Sequence, residues 1–239
     1  MSSLEIEEYW RVEIQGALPG EESMNLDAAL LNEAKSQTFQ PMLRFYDWLN
    51  PTLTIGYGQP RSDIDFEALE RDGVDFAVRP TGGRAVLHWD EVTYSIILPS
   101  GHPISESSVL ESYHTISVGL AEGLRRIGIE AEISRGESGG HKNPSCFSST
   151  SRYEVSVGGK KLIGSAQRRK NGALLQQGSI PVGGEFRYLD RYLVNSEIDP
   201  ELSKKAVCIS ECVDTAPLKS QIYKILADSL AEKLCFSYS

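Results

Sequence analysis

Two tight turns and the strands around them constrain the fold of this chain more than any other local pattern. Gly158-Gly159 and Asn171-Gly172 separate three stretches rich in strand-forming residues, at 153–157, 162–168 and 173–180. Glycine and asparagine tolerate the positive φ angles of two-residue hairpin turns. The three stretches therefore predict an antiparallel meander with tight hairpins.

Helical patterns alternate with further strand patterns. Ser108 and Glu111 form a capping box, and apolar residues then recur at steps of three and four up to Gly128, which predicts a long helix. Other helices are predicted to begin at Ser23 or Asn25, at Ile64 and near Pro217. Other strands are predicted at 43–48, 52–55, 74–78 and 92–98. This order indicates an α+β fold with a largely antiparallel or mixed sheet, in a single domain over 1–239.

Charge and composition narrow the functional class. The 239 residues carry a net charge of −9, whereas nucleic-acid-binding proteins normally present a basic face. The basic clusters at 160–161 and 168–170 suit a small anionic or thioester-linked substrate better than a polymer. The N-terminal residues do not resemble a signal peptide, and no apolar run reaches the ~18 residues of a membrane span. We therefore expect a cytoplasmic protein that binds neither nucleic acid nor membranes.

Among the four cysteines, Cys146 is the candidate nucleophile. It lies in a polar loop one hairpin before Lys161. A thiolate can carry an acyl group, and a nearby ammonium lowers the pKa of a thiol and polarises a carbonyl. If these side chains meet, they form an acyl-transfer site; a dyad of Cys146 with His141 is the alternative. Cys208 and Cys212 lack a second pair of zinc ligands, so no metal site is expected.

A glycine pair between two arginines is the second candidate. Gly82-Gly83 follows a predicted strand, and its amide groups can cradle an oxyanion. Arg79 and Arg84 add charged donors, and His88 lies four residues further on. A plain Gly-Gly hairpin explains the same residues equally well. The strand that follows Lys161 contains three small residues that favour the close approach of a substrate chain to the backbone: Gly164, Ser165 and Ala166.

Taken together and in order, these motifs resemble those of the biotin/lipoate protein ligase superfamily. The segments RPTGGRAVLH (79–88), KLIGSAQ (161–167) and QGSI (177–180) carry the resemblance, and RFYDW (44–48) and TIGYGQ (54–59) are similar to its early signatures. The resemblance covers the chain from about Asn25 to Ile180. It implies the α+β catalytic-domain fold of that superfamily.

Within the superfamily the chain resembles the cysteine-dependent octanoyl transferases. ATP-using ligases usually have a third glycine where this chain has Arg84, and they usually lack a cysteine in the loop before the lysine hairpin. The resemblance implies that Cys146 accepts an octanoyl group from acyl carrier protein as a thioester. The lysine of a lipoyl domain or of the glycine-cleavage H protein then attacks it, and no cofactor is required.

The same resemblance assigns the other site residues. Lys161 matches the lysine that positions the acyl carbonyl. The residues expected to bind substrate are Arg79, Gly82, Gly83, Arg84, His88, Tyr94, Gly164, Ser165, Ala166 and Gln177. At Gln177 the superfamily often has histidine, so this chain departs from the pattern there.

Two other functions fit the same motifs. The first is an ATP-dependent lipoate-protein ligase, which would use ATP to activate lipoate. The second is a non-catalytic module that binds lipoyl or acyl carriers and in which the thiol has no chemical role.

Overall fold

A computed structural model describes residues 8–135, 152–194 and 205–239. The strands are β1 (Glu8–Tyr9), β2 (Arg11–Leu18), β3 (Met42–Trp48), β4 (Thr52–Gly56), β5 (Asp75–Arg79), β6 (Val86–His88), β7 (Glu91–Leu98), β8 (Glu132–Arg135), β9 (Arg152–Val157), β10 (Lys160–Lys161), β11 (Gly164–Lys170), β12 (Ala173–Pro181) and β13 (Phe236–Ser237). The α-helices are α1 (Gly20–Glu33), α2 (Phe66–Asp72), α3 (Pro103–Glu106), α4 (Val109–Arg126) and α5 (Lys219–Leu234). Short 3-10 helices span Arg61–Asp63, Glu185–Tyr192 and Ile209–Glu211.

A five-stranded mixed sheet with the order β11-β12-β7-β3-β2 forms the centre of the fold. Only the β2–β3 pair is parallel within it, and the other pairs are antiparallel. Two three-stranded sheets, β5-β4-β6 and β10-β9-β8, lie beside it, and β1 pairs with β13. The α+β class and the mixed sheet agree with the prediction.

Helices cover both faces of the five-stranded sheet. On β7, Ile96 packs in the cluster that contains residues of α4 and α5, whereas its neighbour Ile97 packs with Leu30 and Leu31 of α1. Successive side chains of a strand point to opposite faces, so each face has its own core. Because helices cover both faces of the sheet, β7 and β12 are buried at every position.

The predicted meander has both its turns but divides between two sheets. Gly158, Gly159, Asn171 and Gly172 all have positive φ, as hairpin turns require. Between the turns, the amides of Leu162 and Ile163 both donate to the carbonyl of Val155, at 2.9 and 3.2 Å. This double contact ends the pairing with β9, so β10 stays in one sheet and β11 begins at Gly164 in the other. The prediction of one continuous meander was wrong at this bend.

The long helix begins as predicted. Ser108 Oγ accepts the amide of Glu111, and the Glu111 carboxylate accepts the amide of Ser108, so the capping box is complete. The helix α4 packs on α5 through Gly123, where a Cβ would lie 2.8 Å from Leu226 Cδ2. Of the described helices, none has the length and apolar character needed to cross a membrane.

The first helix begins earlier than Ser23 or Asn25. Its first residue is Gly20, a position where a Cβ would clash with the side chain of Thr52. Ser23 lies inside the first turn, where its amide donates to the carbonyl of Pro19 at 3.0 Å. The start of α2 also differs: Asp65 caps it by accepting the amide of Ala68.

The capping box supplies the first testable prediction. Ser108→Ala removes one acceptor from the helix N-terminus and is expected to lower the free energy of unfolding by about 1 kcal/mol in urea titrations. Ser108→Asp keeps an acceptor there and should remain within a few tenths of a kcal/mol of wild type. Equal stability of Ser108→Ala and wild type would show that the box does not stabilise α4.

Candidate active site

A narrow cavity lies where the five-stranded sheet meets β5, β6 and α1. It is lined by Met24, Tyr46, Trp48, Arg79, Val86, His88, Thr93, Gly164, Ser165, Ala166, Gln177, Gly178 and Ser179. These residues come from segments far apart in the chain, and they include residues of four of the five motif segments: 44–48, 79–88, 161–167 and 177–180. The cavity brings together six of the predicted binding residues: Arg79, His88, Gly164, Ser165, Ala166 and Gln177.

The Gly82-Gly83 loop borders this cavity. Gly83 has a φ of 98°, and a Cβ built on it would lie 3.9 Å from the Cβ of Ala166 in the cavity wall. The buried Arg79 holds the loop by donating to the carbonyls of Gly82 at 3.2 Å and Arg84 at 2.8 Å. The loop therefore has a fixed conformation at the cavity edge, which a plain exposed hairpin would not need.

His88 is held on three sides. Its Nδ1 lies 2.8 Å from Glu91 Oε1 and its Nε2 lies 2.7 Å from Thr54 Oγ1. The ring of Trp48 stacks on it, with ring centres 4.2 Å apart and an interplanar angle of 21°. Thr54 Oγ1 also accepts from Arg79 at 2.6 Å, so the two predicted binding residues belong to one network.

Glu91 forms the buried end of that network. Burial by itself raises the pKa of its carboxyl, but the charge and hydrogen bond of His88, with hydrogen bonds from Ser179 and Thr93, lower this pKa below its usual value. Ser179 Oγ donates to Glu91 Oε2 at 2.6 Å. The carboxylate therefore stays ionised inside the protein and orients the imidazole.

A buried ion pair lies on the α1 side of the cavity. Asp27 of α1 accepts from Arg44 of β3, and neither side chain is exposed. Burial raises the pKa of Asp27 above its usual value, although the charge of Arg44 and hydrogen bonds from Gln177 and Ser95 counteract part of this rise. Because the guanidinium remains protonated and needs a counter-charge, the carboxylate is ionised at neutral pH.

Tyr94 supports the cavity wall from behind. It is buried in the core between the sheet and the helices α4 and α5, and it is not a lining residue. Its ring crosses β12 over Gly178, where any Cβ would overlap the ring, and its hydroxyl lies 2.9 Å from Ser165 Oγ. Burial raises the pKa of Tyr94 to about 12, so the phenol is neutral and holds Ser165 in place.

Lys161 is buried beside a carboxylate. Its Nζ lies 2.7 Å from Glu154 Oε1, and the two side chains are 7% and 5% exposed. It belongs to β10, shortly before Gly164 of the cavity wall, but it is not a lining residue. Lys160 is more exposed, as expected for neighbours on opposite faces of a strand.

Comparison with known proteins identifies the family. The model of the lipoyl protein ligase A/B catalytic domain matches residues 19–231. The chain belongs to the lipoyl protein ligase A/B catalytic domain family. This agrees with the resemblance seen in the sequence motifs.

Relatives in this family include proteins named octanoyltransferase LipM. The protein from Carboxydothermus hydrogenoformans is 46% identical over 187 residues, which cover 78% of this chain and 70% of the relative. The one from Geobacillus kaustophilus is 39% identical over 219 residues, covering 85% and 78%. Among solved structures, a putative lipoate protein ligase from T. acidophilum with bound lipoic acid superposes with a TM-score of 0.75 at 20% identity, covering 97% of this chain and 88% of that chain. This last likeness shows the shared fold.

The remaining cysteines differ in their surroundings. Cys146 and His141 lie outside the described residues. Cys208 is buried, Cys212 partly buried and Cys235 exposed. Burial raises the pKa of the Cys208 thiol, which disfavours a nucleophilic thiolate there. Within the described ranges, no three His, Cys, Asp or Glu side chains are grouped so that they could hold a metal ion.

The sequence patterns did not predict the three buried acids near the cavity, which are Asp27, Glu91 and Glu154. Asp27 is spaced three residues from Met24 and from Leu30, so it lies on the same helix face as the core residues. A charged residue on an apolar helical face signals a buried partner, and Arg44 within an apolar strand is the matching signal. Glu91 and Glu154 have no such signal, because they sit in strands that alternate normally.

The Glu91 carboxylate gives a pH-dependent prediction. Its folded pKa lies below the ordinary 4.5, so its ionised form stabilises the fold above that pH, and this contribution is lost as the pH falls through the folded value. Glu91→Gln should lower the free energy of unfolding at pH 7 by about 2 kcal/mol. The difference from wild type should shrink below pH 4.5. The exposed Glu67→Gln is the control, and a pH-independent difference for Glu91→Gln would contradict this account.

Proposed function

We propose that the chain transfers an octanoyl group from acyl carrier protein to the target lysine of a lipoyl domain or glycine-cleavage H protein, a step of lipoate biosynthesis. The observation that carries this proposal is the cavity formed jointly by residues of 79–88, 164–166 and 177–179. The LipM octanoyltransferases that share 37–46% of their aligned residues with the chain support it.

The surface that lines the cavity is mostly carbon, although many of the lining residues are polar. Its polar groups are already bonded to one another: Trp48 Nε1 donates to Thr93 Oγ1 at 2.7 Å, and Ser179 donates to Glu91. A fatty chain can therefore contact the carbon surfaces of these residues without breaking hydrogen bonds. An eight-carbon chain gains roughly 0.8 kcal/mol per buried CH₂, on the order of 5 kcal/mol in total.

The proposed chemistry is a double acyl transfer through Cys146. The thiolate attacks the carbonyl of the donor thioester, a new carbon–sulfur bond forms, and the donor thiolate leaves. The neutral amine of the acceptor lysine then attacks the same carbonyl, a carbon–nitrogen bond forms, Cys146 leaves as thiolate, and the amine loses its proton. A thioester converted to an amide releases free energy, so ATP is not needed.

The carbonyl oxygen gains negative charge in both steps. Charged or amide donors that point at this oxygen stabilise it. We assign this role to the ammonium of Lys161 and to the amides of Gly82 and Gly83. Glu154 forms a buried ion pair with Lys161 and so fixes the direction in which the ammonium points.

Intact-mass analysis tests the covalent step. After mixing with octanoyl-carrier protein, the chain should gain the mass of one octanoyl group, and the added group should be released by a thiol nucleophile. Cys146→Ser should show no such thioester, whereas Cys208→Ser should behave like wild type. An adduct that persists in Cys146→Ser, or none in wild type, would refute the thioester mechanism.

Two further measurements separate the other two candidate functions. Lipoate-dependent release of pyrophosphate from ATP would identify a lipoate-protein ligase. Tight binding of a lipoyl domain without any transfer would identify a non-catalytic binding module.

The Lys161–Glu154 pair provides a prediction that separates catalysis from folding. Lys161→Met removes the charge that balances a buried carboxylate, so the free energy of unfolding should fall by about 3 kcal/mol, and octanoyl transfer should stop. In the double variant Lys161→Met with Glu154→Gln, the carboxylate charge is gone and most of the stability should return. The double variant should nevertheless remain inactive in the transfer assay, and recovery of activity would exclude a role for Lys161.

A further inference from the structure

We infer that Asp27 is a positioning residue of this site, which acts through Gln177 on Thr81 and thereby fixes the Gly82-Gly83 loop. The inference rests on the proposed function, because the loop matters only if its amides contact the acyl carbonyl. Four observations carry it, and all lie in the described part of the chain.

The first observation is the anchoring of Asp27. Its Oδ1 accepts from Arg44 and, at 2.9 Å, from Ser95 Oγ, and Tyr46 donates to Oδ2 at 3.3 Å. None of these side chains is exposed. An ionised carboxylate only accepts hydrogen bonds, so every neighbour must present a donor to it.

The second observation is the orientation of the Gln177 amide. Its Nε2 donates to Asp27 Oδ2 at 2.7 Å, and the side chain is 5% exposed. A carboxamide has one donor end and one acceptor end, so placing nitrogen against Asp27 forces the oxygen to face the other way. A flipped amide would place two acceptors together, and Asp27 therefore determines which end faces Thr81.

The third observation is the contact with Thr81. The hydroxyl of Thr81, which has no exposed surface, donates to Gln177 Oε1 at 2.7 Å. This bond joins residues 96 positions apart and ties the loop to β12, the strand that supplies Gln177, Gly178 and Ser179 to the cavity wall. The chain of contacts thus runs from α1 through the sheet to the residue before Gly82.

The fourth observation is how tightly the loop is packed. The carbonyl of Thr81 accepts the amide of Tyr57 at 3.1 Å, and the Gly83 carbonyl lies so close to Gly56 that a Cβ there would overlap it. Arg79 holds two further carbonyls of the loop. Those contacts all use backbone oxygens of the loop, whereas the Thr81 hydroxyl ties a side chain of the loop itself to the cavity wall.

Small displacements of such a loop matter for catalysis. Donors stabilise an oxyanion only when they lie within about 3 Å of its position, and misplacement by about 1 Å can cost on the order of 100-fold in rate. If the network only stabilised the fold, disrupting it would lower the free energy of unfolding but leave kcat per folded molecule unchanged. The two roles therefore predict different results.

Thr81→Val tests the inference, since it removes the hydroxyl and keeps the shape. We expect kcat for octanoyl transfer to fall at least tenfold, with KM for octanoyl-carrier protein within threefold of wild type. Thr81→Ser keeps the hydroxyl and should restore kcat to within twofold. Thr52→Val is the matched control, because it removes another buried threonine hydroxyl, which donates to the Asn50 carbonyl at 2.9 Å away from the cavity.

Hydrogen exchange of the Tyr57 amide tests the positioning without any substrate. Its acceptor is the Thr81 carbonyl, so it should exchange at least tenfold faster in Thr81→Val and at the wild-type rate in Thr81→Ser and Thr52→Val. If wild type transfers no octanoyl group but Tyr57 responds in this way, the proposed function fails while the positioning of the loop stands. Unchanged exchange, or unchanged kcat in an active Thr81→Val enzyme, overturns the inference.

Gln177→Glu gives a second, isosteric test. The introduced carboxyl would face Asp27, with Arg44 and Tyr46 as the other titratable groups around that carboxylate. When the two acids share a proton, the introduced carboxyl can donate to Asp27 as the native amide does, but two ionised carboxylates repel each other. The ratio of variant to wild-type kcat should therefore fall as the pH rises, and a flat ratio across the pH range would overturn the inference.

Discussion

The buried ion pair between Asp27 and Arg44 is the interaction on which the rest of the site depends. Removing two charges from water is costly, and hydrogen bonds to the remaining donors and acceptors recover part of that cost. Here Ser95, Tyr46 and Gln177 complete the carboxylate's hydrogen bonds. The requirement to satisfy one buried charge thus fixes side chains from α1, β3, β7 and β12 at once.

The same logic explains how the cavity proposed to hold an acyl chain can be built from polar residues. His88, Thr54 and Glu91 form one internally bonded group, and Trp48 covers it with its ring. Groups that have already found partners are fixed in place and do not attract water into the cavity. Such a wall is rigid, whereas a wall of flexible aliphatic side chains could rearrange around the ligand.

Much of the architecture could be predicted from the sequence, and the reasons are local. The α4 capping box and the two hairpin turns depend on residues a few positions apart, so their patterns identify them directly. Arg79, His88 and Gln177 belong to short motifs that occur in order, and the structure brings them together at one cavity. Recognising these patterns required no knowledge of packing.

The parts that could not be predicted depend on distant contacts. The strand β10 ends where two amides share the Val155 carbonyl, and no residue type in the sequence predicts that arrangement. Likewise Thr81 and Gln177 meet across 96 positions, and Glu154 reaches Lys161 only because β9 pairs with β10. The register between paired strands determines which of these side chains meet, and this register cannot be predicted from local sequence patterns.

The ring of Tyr94 crosses Gly178 to reach Ser165, so the residues allowed at positions 94 and 178 depend on each other. A side chain at 178 would need the space that the ring occupies, and a smaller residue at 94 would leave a void over the glycine and leave Ser165 unsupported. Neither position can change alone without loss, so exchange at this point of the sheet requires two simultaneous substitutions.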